Sequence, residues 1–116
     1  MPHLSPAIRT GNLLFLSGQL AFGPEGRIEG DITAQTRCVL DRLFATLAAS
    51  GLAPGNVVKT SVWLVDHADF APFDAAYAAA FGEHRPARST VISGLAIEGA
   101  AVEIDLVASF DPVEPA

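Results

Sequence analysis

Apolar residues along the chain follow two periods, one typical of strands and one typical of helices. Runs of strand type cover residues 13–16, 57–65, 89–95 and 102–110. Helical spacing covers 31–51 and 69–82, and each of these segments ends at a glycine. Residues 7–10 can pair with the first run across a turn at Gly11-Asn12. The order predicts an α+β fold, a sheet with two helices on one face.

The predicted sheet is apolar on both faces. Successive residues of 13–16 point to opposite faces, yet all four are apolar. For the third strand, the set predicted to face the helices is Val58, Val62 and Leu64, and the opposite set is Val57, Trp63 and Val65. Two helices cover one face only, and an apolar second face of this size rarely stays exposed on a monomer. We expect a homo-oligomer; a sheet that curls onto itself or lies under a loop is the alternative.

The last strand places two carboxylates on the face away from the helices. Its even-numbered residues from Val102 to Ala108 are apolar and are expected to face the helices. Glu103 and Asp105 then point toward the face that a partner subunit would cover. In an interfacial pocket, desolvation would raise the pKa of such a carboxyl group. At a solvated edge the two would form an ordinary surface pair, and the sequence leaves both interpretations open.

Arg88 and Glu103 are the candidates for chemistry. A hairpin that turns around residues 95–99 would pair their strands and bring the two side chains within cross-strand reach. A guanidinium beside a carboxylate is either a structural ion pair or a ligand site. In the second case the arginine binds an anionic ligand's carboxylate while the glutamate transfers protons.

Composition narrows the possible functions. The 116 residues include 13 acidic and 7 basic ones, for a net charge of -6 without a basic run, which disfavours nucleic-acid binding. A single cysteine, Cys38, and three scattered histidines predict no intrachain disulfide and no metal site built from Cys or His. No apolar run approaches the ~18 residues of a membrane span, and no signal peptide is expected. We expect a single cytoplasmic domain over 1–116 with a frayed tail over 110–116.

Four short motifs occur in a specific order and spacing. They are Ser17-Gly18-Gln19, Val58-Lys59-Thr60, Pro86-Ala87-Arg88-Ser89 and Val102-Glu103-Ile104. Together they resemble the RidA/YjgF family, also called endoribonuclease L-PSP, and the resemblance runs from about Pro6 to Ala108. It implies a chorismate-mutase-like α+β subunit. It also implies a homotrimer with a barrel-like centre and one pocket at each subunit interface.

The resemblance further implies an activity, the hydrolysis of small enamines and imines to 2-keto acids and ammonia without a cofactor. By this resemblance Arg88 binds the substrate carboxylate, with help from the backbone amide of Thr90. Glu103 orients or activates water. Ser17 hydrogen-bonds substrate or water, although a hydroxyl that simply ends a strand before Gly18 is an equally good interpretation.

Several positions depart from the family pattern and put the substrate in question. Asp74 stands where asparagine is common, and its charge would disfavour anionic substrates if it faces the pocket. Pro6 is followed by Ala7 where many members carry an aromatic residue, Thr90 replaces a cysteine, and Arg85 replaces an apolar residue. A trimer that binds small carboxylates without catalysis is therefore an alternative. The ribonuclease or translation-inhibitor activity of the older family name would lack both a basic surface and a histidine pair.

Overall fold

In a computed structural model, which describes residues 2–114, the chain forms one five-stranded sheet with two helices packed on one face. The strands are β1 (Ala7–Thr10), β2 (Leu13–Gln19), β3 (Val57–Leu64), β4 (Ala87–Ile92) and β5 (Val102–Ser109). The helices are α1 (Ile32–Ala49) and α2 (Phe70–Phe81). The strands lie side by side in the order β1-β2-β5-β3-β4. The predicted α+β architecture is confirmed.

The ends of α1 follow directly from the sequence. The side chain of Asp31 accepts a hydrogen bond from the Ala34 backbone N–H at 2.9 Å, which satisfies one of the free amides of the first turn. Gly51, just beyond the helix, has a φ of 77°, a left-handed conformation that glycine adopts without strain. Among the residues described, no helix has the length and apolar content needed to cross a membrane.

β3 departs from the predicted alternation at its first residues. Val57 is completely buried while Val58 is only partly buried, so the prediction that Val58 faces the helices was wrong. The pairing with β5 shifts register between Val57 and Lys59, which is a β-bulge that reverses the direction of the preceding side chains. From Thr60 onwards the even-numbered residues face the helices, as predicted.

The predicted hairpin between β4 and β5 is wrong. Within residues 2–114, β4 pairs only with β3, in parallel and at the edge of the sheet. β5 lies antiparallel between β2 and β3. The parallel pair requires a crossover connection, which α2 supplies. Because β5 occupies the other side of β3, β4 lies at the edge of the sheet. The connection that follows passes the end of β3, where the Val65 N–H donates to the Ala101 carbonyl.

The face of the sheet away from the helices, here called the open face, carries exposed apolar side chains in the single chain. Ile8 pairs with Phe15, and Phe15 with Val107, so the three share this face. Ile8 is 57% and Phe15 44% exposed. Val91, which pairs with Trp63 on the same face, is 47% exposed. An apolar surface of this kind is typical of a subunit interface.

The first residues after β5 are held to the turn between β1 and β2. The Phe110 N–H donates to the Asn12 carbonyl at 2.8 Å, and the Asn12 amide donates to the Asp111 carboxylate at 2.8 Å. The Arg9 guanidinium lies 3.8 Å from the centroid of the Phe110 ring. The segment expected to fray from residue 110 is thus anchored at its start, while residues 115 and 116 lie outside the described residues.

The substitution Leu43→Ala is expected to lower the free energy of unfolding by about 2–5 kcal/mol, because it leaves a cavity in the core. Leu43 lies on the inner face of α1 and is fully buried. Urea denaturation provides the measurement. The matched control is Arg37→Ala, an exposed position of the same helix, with an expected change below about 0.5 kcal/mol. Equal losses in the two variants would contradict the inner face assigned to α1.

Candidate functional site

Arg88 points to the helix side of the edge strand β4. Its partner across the ladder is Thr60, which is fully buried beneath the helices. The centre of the guanidinium lies 4.7, 5.3 and 5.8 Å from the ring centroids of Tyr77, Phe73 and Phe70. These cation–π contacts hold the planar group against α2. The side chain of Arg88 remains 21% exposed, so a ligand can reach it.

Asp74 on α2 is the ionic partner of Arg88. The Arg88 Nη1 donates to the Asp74 Oδ1 at 2.8 Å. The side chain of Asp74 is 49% exposed, so water screens part of the attraction. From the sequence, Asp74 was expected to disfavour anionic ligands if its side chain faces the pocket. Asp74 does face Arg88.

Tyr77 supports Arg88 from within the core. Its hydroxyl lies 2.7 Å from the Thr60 Oγ1, and either atom can donate. Burial raises the pKa of the Tyr77 phenol, while the hydrogen bond to Thr60 and the charge of Arg88 act in the opposite direction. The sequence placed Tyr77 on the apolar stripe of α2 and assigned it no role. Tyr77 follows Asp74 by three residues and so lies on the same face of the helix, and this spacing could have indicated that both residues belong to the site.

A cleft of about 550 Å³ opens beside Arg88, between the second half of α2 and the segment that leads into β4. Asp74, Tyr77, Arg85 and Arg88 all line it. This volume falls within the range of small-molecule sites. The cleft therefore combines two cations and one carboxylate with an aromatic wall.

The backbone amide of Thr90 is directed to the free edge of β4. The Ser93 N–H donates to the Leu64 carbonyl at 2.9 Å, so odd-numbered amides of this strand turn toward β3. Amide directions alternate along a strand, which turns the Thr90 N–H outward. Its side chain shares the helix side with Arg88, since Thr90 pairs with the buried Val62. Arg88, Asp74 and the Thr90 amide are thus brought together at one edge.

Glu103 lies on the opposite face of the sheet from Arg88. It pairs with Trp63, whereas Arg88 pairs with Thr60. Because residues 60 and 63 are an odd number of positions apart in a regular strand, their side chains point to opposite faces. The expectation that Arg88 and Glu103 meet within one chain is therefore wrong. Strand β3 lies between their strands.

Gly18 leaves room for the Glu103 carboxylate. A Cβ on Gly18 would clash with the Glu103 Oε2 and would lie 3.1 Å from its Cδ. The pairing of β2 with β5 shifts register between Leu16 and Gln19, which is a bulge that brings this backbone close to β5. The sequence analysis did not predict that Gly18 makes space for Glu103, although it included Gly18 in the Ser17-Gly18-Gln19 motif.

Ser17 tethers the N-terminal segment next to this bulge. Its Oγ donates to the Ser5 carbonyl at 2.5 Å, and its N–H donates to the Pro6 carbonyl at 3.0 Å. A hydroxyl that donates one hydrogen bond can still accept others. Ser17 does not end its strand, because β2 continues to Gln19, and its oxygen can also bind a ligand or water. Ser17 precedes Gly18, and Gly18 lies against Glu103, so the two candidate residues flank the same glycine.

Glu103 and Asp105 are neighbouring carboxyl groups on the open face. Burial raises the pKa of both groups, and the charge of Asp105 raises that of Glu103 further. A hydrogen bond from Ser61 partly lowers the pKa of Asp105. A raised pKa makes a carboxylate a stronger base. Within residues 2–114, no cluster of three or more His, Cys, Asp or Glu side chains could hold a metal ion.

Comparison with known proteins gives a consistent result over nearly the whole chain. The family model described as Endoribonuclease L-PSP matches residues 1–110. A RutC family protein of Pyrococcus horikoshii is 42% identical over 106 residues, which cover 90% of this chain and 84% of that protein. The 2-iminobutanoate/2-iminopropanoate deaminase of Escherichia coli K12 is 39% identical over 102 residues, 84% of this chain and 80% of the relative.

A solved structure gives the same picture for the fold. The crystal structure of the YjgF gene product from Escherichia coli superimposes with a TM-score of 0.85 at 36% sequence identity. The alignment covers 91% of this chain and 87% of that one. The sheet and both helices described above therefore correspond to an experimentally observed fold.

The substitution Glu103→Gln is expected to raise the melting temperature at about pH 7 and to have a smaller effect near pH 4. Folding raises the pKa of Glu103, so the folded state favours the protonated form. The ionised carboxylate therefore lowers stability as the pH rises above the ordinary glutamate value, and neutral glutamine removes this cost. Thermal melts across the pH range provide the measurement. Glu98→Gln, at an exposed position, is the control. If Glu103→Gln changed the melting temperature by the same amount at every pH, the raised pKa of Glu103 would be contradicted.

Proposed function

Because the chain belongs to the RidA/YjgF family, whose model is described as endoribonuclease L-PSP, we propose that it hydrolyses small imines and enamines to 2-keto acids and ammonia. One observation carries the proposal: the guanidinium of Arg88, ordered by the rings of α2, lies beside a cleft large enough for a small acid. The deaminase named among the relatives supports the reaction. Cytoplasmic localisation is part of the proposal.

Arg88 binds the substrate carboxylate in this proposal. A guanidinium presents its N–H groups in a planar fork that matches the two oxygens of a carboxylate. The outward amide of Thr90 adds a further donor at the same edge. A charge-assisted pair of this kind contributes ~1.5–3 kcal/mol. Because the rings of α2 already hold Arg88, little side-chain entropy is lost on binding.

A site that uses both Arg88 and Glu103 must draw on two subunits. The two side chains point to opposite faces of the sheet in one chain. A homotrimer whose open faces line a barrel-like centre would cover the exposed apolar residues of that face. It would also bring the β4 edge of one subunit to the Glu103 side of its neighbour. Arg88 then comes from one chain, and Glu103 and Ser17 come from the next.

The reaction at such a site is the addition of water to an electrophilic carbon. Glu103 accepts a proton from water as the oxygen bonds to the imine carbon, and its raised pKa makes it a better base. The nitrogen takes up this proton from Glu103 and a second one from the added hydroxyl group, the C–N bond breaks, and ammonia leaves as the carbonyl of the 2-keto acid forms. Ser17 hydrogen-bonds the water or the substrate. Because the site holds the carboxylate and the water in fixed positions, the entropic part of the activation barrier is lowered.

A second function, binding of small carboxylates without turnover, is favoured by the ion pair of Asp74 with Arg88. A guanidinium that already has a carboxylate partner has the form of a structural pair. Ribonuclease activity receives less support. Although the family description contains the word endoribonuclease, the net charge of -6 opposes binding of a polyanion such as RNA.

The variants Arg88→Ala and Glu103→Gln are each expected to lower the deaminase rate about 100-fold or more, because each removes one part of the site. Co-assembly of the two inactive chains should restore activity. Random combination of two subunit types gives about one quarter of the interfaces an intact Arg88 and an intact Glu103. The assay follows ammonia and keto acid released from 2-aminoacrylate, which a pyridoxal-phosphate enzyme generates in situ.

Arg37→Ala, at an exposed position on α1, is the control and should keep the full rate. Full activity of the Arg88→Ala variant would refute the proposed role of the arginine. Keto acid binding that depends on Arg88 without any turnover would favour the second function. Two inactive chains that regain no activity in verified mixed oligomers would rule out a site shared between subunits.

A further inference from the structure

We infer that Asp74 makes the Arg88 cleft selective for ligands that carry a protonated nitrogen beside their carboxylate, and that it weakens the binding of plain 2-keto acids. The inference rests on the proposed function, because it concerns the ligand of the same site. It identifies Asp74 as a residue that sets specificity.

The first step of the argument is the charge of the cleft. Arg88 does not offer an unpaired positive charge, since Asp74 contacts its Nη1 at 2.8 Å. Both side chains line the same cleft. A carboxylate that approaches Arg88 must therefore also approach the carboxylate of Asp74. Like charges that share one partner repel each other, which lowers the affinity for a ligand that is only anionic.

The second step is the ligand that removes this cost. A protonated nitrogen next to the ligand carboxylate can donate to Asp74 while the carboxylate accepts from Arg88. Positive and negative groups then alternate across the site. The side chain of Asp74 is 49% exposed, so a ligand atom can reach it without rearrangement of the helix. Charge-assisted hydrogen bonds are then formed at both ends of the ligand.

The other charged and titratable groups of the cleft do not cancel Asp74. Arg85 is exposed, so water screens its charge. The Nε2 of His84 lies 2.7 Å from the Val57 carbonyl, which occupies that side of the ring. Tyr77 shares its hydroxyl hydrogen bond with Thr60. Within one chain, Asp74 is the one acidic side chain among the residues described around this cleft. The Glu103 that a neighbouring subunit would add is the same in the wild type and in the Asp74 variants, so it does not affect their comparison.

The consequence for the proposed reaction is a difference between substrate and product. A protonated imine carries both a carboxylate and an N–H donor. During hydrolysis of this protonated imine a water oxygen replaces the nitrogen, which leaves as ammonium, and the keto acid keeps only the carboxylate. Asp74 therefore binds the substrate and repels the product. Such a difference speeds product release from a site that would otherwise bind both through Arg88.

The test compares alanine with pyruvate, which share a carbon skeleton and a carboxylate and differ in the protonated nitrogen. Dissociation constants are measured by calorimetry on the full-length native oligomer, for the wild type and for Asp74→Asn. Asparagine has nearly the same size, and its carbonyl can still accept from Arg88. We expect Asp74→Asn to bind pyruvate about 5-fold more tightly, the effect of one partly screened charge, and to bind alanine no better.

Asp41→Asn is the matched control, because it makes the same chemical change at an exposed position of α1, on a different helix from the cleft. It should leave the ratio of the two constants unchanged. Asp74→Ser is a second neutral variant and should shift the ratio in the same direction, and thermal melts establish that each variant folds.

If Asp74 only positions Arg88, both neutral variants would bind both ligands more weakly, which overturns the inference. An unchanged ratio in Asp74→Asn, with pyruvate binding that is lost in Arg88→Ala, overturns the inference and leaves the proposed function intact. A folded wild type that binds neither compound overturns the inference, while ammonia release from 2-aminoacrylate by the same protein decides the proposed function separately.

Discussion

The packing of one guanidinium on α2 is the interaction on which the candidate site depends. The parallel pair of β3 and β4 requires a crossover, and α2 supplies it, so this helix lies over the strand that carries Arg88. The aromatic stripe of α2 holds the side chain, and Tyr77 is fixed from below by Thr60. The same residues that complete the core therefore orient the cation. The site is part of the fold rather than an addition to it.

The sheet separates the two halves of the proposed chemistry. Arg88 lies on the helix side and Glu103 on the open face, where Gly18 leaves space for its carboxylate. Burial beside Asp105 disfavours the charged form of Glu103. The ionised carboxylate therefore lowers the stability of the fold, but it is a stronger base than an exposed glutamate. In the proposal, Arg88 at the free edge of β4 and Glu103 on the open face belong to one site only when two chains associate. Oligomerisation and catalysis are thus the same requirement in this proposal.

Family membership and the particular residues of this chain carry different information. The family defines the scaffold, and the relatives named as imine deaminases suggest the reaction. Asp74 belongs to this chain, and its contact with Arg88 alters the charge of the cleft without a change in the backbone. In the proposed function, the same scaffold keeps Arg88 to bind a carboxylate, while neighbouring charges decide which acids it prefers.

Local pattern was sufficient to predict the elements of this protein, because side-chain periodicity and capping act within a few residues. The spacing after Asp31 gave α1, and the alternation from Val102 gave the two faces of β5 correctly. The bulge at Val57 was not predictable, because it depends on how β3 pairs with β5. The position of β5 inside the sheet, the separation of Glu103 from Arg88 and the contact of Asp74 with Arg88 were decided only by the tertiary structure. Strand order depends on pairings between segments far apart in the chain, such as β5 with β2 and β3, and no local pattern specifies which distant strands become neighbours.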